Sequence, residues 1–172
     1  IFLMWWIMMV AMMVPSAAPA ILLYDRAARR IESGSGWATL LFTSGYLLVW
    51  GAFSLAAAAL HWMLDQNGFL TMGTSVSMAL GGFVLMAAGL WQLTPLKRAC
   101  LLRCQNPLQF LSHFWRRGRL APVRMGLAHG LHCLGCCWAM MGLLFYGGIM
   151  NPAWIGGLAL YILLEKSLPA GH

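Results

Sequence analysis

The chain has 172 residues, 61% of them hydrophobic and 9% charged, with a formal net charge of +7. A soluble domain carries charge on about a quarter of its positions, so composition excludes that class and points to a chain embedded in lipid. The positive balance does not call for nucleic acid. Arg26, Arg29 and Arg30 fall in one interhelical stretch, and Lys97, Arg98, Arg103, Arg116, Arg117, Arg119 and Arg124 fall in or beside another, where anionic headgroups account for them.

The apolar runs predict an all-α, polytopic transmembrane helix bundle, a single domain over 1–172 with about five spans at 1–24, 37–64, 72–93, 123–147 and 152–166. With a basic cytoplasmic loop at 94–122, the positive-inside rule sets the N-terminus outside and the C-terminus inside. A start in mid-hydrophobic run at Ile1 leads to the expectation of a further helix before it. This topology fits a multi-pass protein of the bacterial inner membrane, with the bilayer as its first partner.

In the first span Met4, Met8 and Met12 repeat at i, i+4, Met9 and Met13 stand beside them, and Pro15 removes an amide hydrogen and frees a carbonyl near Ala11. Such a stripe packs helices as readily as it binds metal. Asp25 to Gly36, closed by Ser33-Gly34-Ser35-Gly36, makes the first cytoplasmic loop. The second span carries Trp37, Trp50 and Trp62, two of them near the interfaces, and His61 near its outer end.

After a short outer turn, Asp65 to Thr71, the third span starts at Met72. Its Gly81, Gly82 and Gly89 are expected to let backbones approach, with Met78 and Met86 flanking the glycine pair. In the basic loop, Leu108 to Trp115 reads as a short amphipathic helix with Arg116 and Arg117 beside it. Cys100 and Cys104 at i, i+4 form a possible cytoplasmic relay for metal.

The fourth span holds His129-Gly130-Leu131-His132-Cys133-Leu134-Gly135-Cys136-Cys137-Trp138. At about 100° per residue, Cys133, Cys136 and Met140 fall within about 40° of His129 around the helix, with His132 and Met125 about 60° and 40° to one side. Imidazole and thiol donors suit copper(I), zinc or iron, and thioethers narrow the choice toward copper(I). The fifth span begins after Asn151-Pro152 and ends at Glu165-Lys166, before Pro169. Glu165 reads either as a residue standing behind the ligands or as half of an interfacial pair with Lys166.

Depth, counted at about 1.5 Å per residue, tests whether these groups can meet. Cys133 and Met13 share a level, Met86 and Glu165 fall near His129, and His61 lies far toward the outside. The candidate metal set is therefore His129, His132, Cys133 and Cys136, with Met8, Met12, Met13, Met86 and Met140 as a thioether path. The absence of facing histidines at one depth speaks against a bis-histidine haem. Zinc is compatible with the Cys and His ligands but leaves the methionines as packing. No paired carboxylates, serine-histidine dyad or phosphate-binding glycine loop is present, so no catalytic residue is named and the chain is read as a non-enzyme. Five cysteines, three in the membrane and two on the reducing side, give no disulfide framework.

The methionine-rich 8–16 segment, Gly45 to Trp50, Gln92-Leu93-Thr94-Pro95-Leu96-Lys97, the 129–138 block and Leu164-Glu165-Lys166 together resemble the bacterial "predicted metal-binding integral membrane protein" family, a domain of unknown function. The resemblance spans nearly the whole chain and implies metal binding without specifying a substrate. The resulting expectation is a membrane protein for copper(I) binding, homeostasis or delivery to a metalloenzyme. The rival is a structural accessory subunit of a larger photosynthetic, respiratory or copper monooxygenase complex, packing through its helix faces.

Overall fold

The computed structural model describes residues 1–31, 36–71, 74–75, 78–115 and 118–168, with side chains left aside at 31 and 70–78. Ser33 to Ser35, Met72, Arg116, Arg117, Pro169 and the side chain of Met78, all named above, lie outside what it describes. The described chain is almost entirely helical: α1 (Phe2–Ile31), α2 (Trp37–Gln66), α3 (Met78–Leu93), α4 (Pro95–Gln105), α5 (Pro107–Phe114), α6 (Ala121–Gly142), α7 (Leu144–Gly147) and α8 (Pro152–Ser167). A two-residue antiparallel ladder between Leu70–Thr71 and Thr74–Ser75 sits in the turn after α2.

Local chemistry sets the breaks. α1 runs through both Pro15 and Pro19, and the Ser16 hydroxyl donates back to the Met13 carbonyl at 2.9 Å. Its far end is tied to the start of α2, because Asp25 accepts from Arg29 at 2.8 Å and from Thr39 at 2.7 Å. Thr94 ends α3 and caps α4, accepting the Lys97 amide at 3.3 Å with Pro95 at the first helical position, and the axis turns by 67° there. Asn151 caps α8, accepting from the amides of Ala153 at 3.1 Å and Trp154 at 3.3 Å, again with proline at the first position.

Three helices are long and apolar enough to cross a membrane: Phe2–Arg30, Trp37–Gln66 and Ala121–Gly147, or up to four if the bent α3–α4 pair counts as one span. α8, with 16 residues and a length of about 24 Å at 1.5 Å per residue, is short of a full crossing of about 30 Å. The 94–122 stretch, expected as a loop, carries α4 and α5. Phe110 and Leu111 of α5 are buried with Tyr24, Phe42 and Met125, so this amphipathic helix is docked on protein along that side.

α6 is the central element, with α2 along one side and α4 along another, while α1 packs on α2 and α8 on α1. Close approach of α2 and α6 runs through glycines other than those of α3. A Cβ at Gly126 would stand 2.0 Å from the Phe42 carbonyl oxygen, and one at Gly45 would stand 2.4 Å from the Val123 carbonyl oxygen. At Gly82 and Gly89 a Cβ would meet nothing within 4 Å, which corrects the expectation placed on them. Gly126 and Gly130 thus form a small-xxx-small face, the pattern that lets two helix backbones touch in lipid.

Candidate metal centre

Packed between α2 and α4, α6 is buried along most of its length, and its thiols lie in the interior. Cys133, Cys136 and Cys137 are each 1% exposed and share a core with Met9, Met12, Met13, Tyr46 and Met140. Cys136 donates to the Cys133 carbonyl at 3.1 Å and lies 3.2 Å, sulfur to sulfur, from Cys137. From α4, Cys104 packs against this same core. Thiols from two helices thus share one core.

Two further groups close on Cys133. The Tyr46 hydroxyl stands 3.2 Å from its sulfur and 3.3 Å from the Met13 carbonyl oxygen, joining α2, α6 and α1 at one level. Lys166, near the end of α8 and 9% exposed, donates to Cys133 Sγ at 2.9 Å and to Ser16 Oγ at 3.1 Å. Its neighbour Glu165 does not pair with it. Glu165 binds the ammonium of Lys97, which is 3% exposed and also donates to Gln92, while Gln92 donates to the Met140 sulfur at 3.4 Å. An interfacial Glu165–Lys166 pair is therefore not what forms: packing against α4 and α6 separates the two side chains.

The remaining sequence candidates divide. His129 is 3% exposed among the rings of Phe42, Tyr46 and Phe110, and its Nδ1 is a buried nitrogen with no hydrogen-bond partner. His132 has both ring nitrogens engaged, one with the Ala128 carbonyl at 2.6 Å and the other with Arg103, and so faces α4. Met12 and Met13 are buried in the thiol core and Met8 packs against it. Met86 is 66% exposed and lies outside that core. Cys100 packs on α6 at Gly135, where an added Cβ would be 2.9 Å from its sulfur. His61 accepts from the Trp5 indole at 3.2 Å and stays apart from the thiols.

Among the described residues, no three His, Cys, Asp or Glu side chains already stand as a cage that could hold a metal ion. The thiols are arranged instead to satisfy one another and Lys166. Thiolates select soft ions, copper(I) foremost, and copper(I), with its filled d shell, accepts two sulfur donors without a third. Sequence reasoning missed Cys137, Lys166, Tyr46 and Ser16. Cys137 falls about 80° from His129 around the helix and off the stripe. Lys166 reads as the polar end of a span.

The model of a copper chaperone family, PpoB2, matches residues 2–172. The chain belongs to the PpoB2 copper chaperone family. Family membership supports the copper part of the resemblance drawn from the sequence and carries a different family name; a chaperone role is non-catalytic in kind. No curated protein and no solved structure matches the chain.

Proposed function

We propose that this chain is an integral membrane copper(I) chaperone that holds the ion on thiolates of the Cys104, Cys133, Cys136 and Cys137 cluster and passes it to a partner metalloenzyme. The carrying observation is the gathering of three buried thiols on α6 with Cys104 of α4 packed against their core, in a chain whose family handles copper. Copper(I) rather than copper(II) follows from the donor set, since thiolate and thioether stabilise the softer ion. His129, with its unpartnered ring nitrogen, and Met12 and Met13 of the thiol core are supplementary donors. His132 and Cys104, where α6 meets α4, mark the side from which copper enters or leaves.

In this reading the chain crosses the bacterial inner membrane about five times, with its arginines on the cytoplasmic side. The exposed apolar residues, among them Leu22, Leu48, Phe83, Met86 and Leu160, face acyl chains.

The test is copper stoichiometry of the full chain, loaded with copper(I) without oxygen in lipid nanodiscs, beside the C133S/C136S variant. One copper per chain, lost in the variant, is the expected result. Equal copper in both samples, or none in the wild-type chain, would refute the thiol site.

A further inference from the structure

Lys166 is an ammonium group carried to the middle of a thiol cluster. Among the described residues the ion pairs are Arg29–Asp25 and Lys97–Glu165, and neither includes Lys166. Its contacts are instead the Cys133 sulfur at 2.9 Å and the Ser16 hydroxyl at 3.1 Å. A charge at this depth is costly unless it meets its opposite, and with no carboxylate paired to Lys166 among the described residues the opposite charge available is a thiolate.

The charge balance of a loaded site then becomes definite. Copper(I) bound by two thiolates carries a net charge of minus one, the two thiol protons having left to water. Beside one ammonium the assembly is neutral. A copper(I) ion on a single thiolate is neutral by itself, and the ammonium would then be left over.

We infer that Lys166 is the counter-ion of the bound metal: its ammonium, held against Cys133 by Ser16, fixes the loaded site as a two-thiolate copper(I) complex. Lys166 is a positioning and specificity residue, since it acts through the thiolate and does not bind the copper. The inference rests on the thiol-site reading above and adds the number of thiolates and the residue that sets it.

The experiment is a double-mutant cycle between Lys166 and Cys133, read as copper(I) affinity by competition with a chromophoric copper(I) chelator. The full chain is used in nanodiscs, without oxygen and at one pH. K166M removes the ammonium and keeps the stem's length, and is expected to weaken binding about a hundredfold, or about 2.8 kcal/mol at 1.4 kcal/mol per tenfold. That is the scale for a charge left uncompensated at membrane depth. C133M turns one thiolate into a thioether, strands the ammonium, and is expected to lose a similar amount.

The K166M/C133M double variant restores neutrality and is expected to bind more tightly than either single variant. X-ray absorption should count two sulfurs in the wild-type site, and K166R should recover most of the affinity lost in K166M. A K166M chain that binds within about threefold of wild type, or a double variant as weak as the two losses combined, would overturn the inference. A general folding defect caused by losing Lys166 would persist in the double variant, so recovery there cannot come from folding. C133S/C136S, run in parallel, separates the two claims: if it retains copper the thiol site itself is wrong, and if it loses copper while K166M does not, only the role of Lys166 is wrong.

Discussion

Changing Gly126 to alanine tests whether the α2–α6 contact positions the thiols. The added Cβ would fall 2.0 Å from the Phe42 carbonyl oxygen, where ordinary contact begins near 3.4 Å. The obstacle is backbone inside a helix, so no side chain can turn aside, and the two axes must separate by about 1 Å or more at this level. Overpacking of this kind costs about 1–3 kcal/mol, while the better helix propensity of alanine returns up to about 1 kcal/mol. The same separation pulls Tyr46, one turn beyond Phe42, from the Cys133 sulfur that lies 3.2 Å from its hydroxyl.

G126A is therefore expected to unfold at lower SDS fraction than wild type in mixed micelles and to bind copper(I) more weakly. G156A is the matched control, since a Cβ at Gly156 meets nothing within 4 Å, and it should be neutral or slightly stabilising. Equal stability and equal copper affinity for G126A and G156A would refute the claim that glycine contact between α2 and α6 sets the site.

Two other changes test separate parts of the structure. E165Q removes the counter-charge of Lys97, which is 3% exposed; breaking a buried pair from one side costs about 3–5 kcal/mol, and an unfolding midpoint like that of wild type would show that the pair is hydrated. C104S, which takes away the α4 thiol packed against the thiol core, is expected to lower copper(I) affinity by about tenfold or more. C100S, whose thiol rests against Gly135, should leave affinity unchanged. Equal effects from the two serine variants would argue against a direct place for Cys104 in the cluster.

The amino-acid sequence by itself determined the helical class and the three long apolar helices, because a run of more than 20 apolar residues can satisfy its backbone in lipid only within itself. It also determined the chemistry on offer, since thiol, imidazole and thioether on one segment suit copper whatever the fold around them, and the family of the chain handles copper. Glycine roles were less legible. Gly82 and Gly89 look as suited to close packing as Gly45, Gly126 and Gly130, and only the pairing of α2 with α6 distinguishes them.

The composition of the thiol core was decided by tertiary structure. Helical periodicity groups residues on one helix, so it ties Cys133 to Cys136 and cannot bring in Cys104 from α4, Tyr46 from α2, or Ser16 from α1. Lys166 and Glu165 are adjacent in the chain and look like one interfacial pair. Their side chains leave α8 about 100° apart, so the elements packed on either side send Glu165 to Lys97 and Lys166 to Cys133.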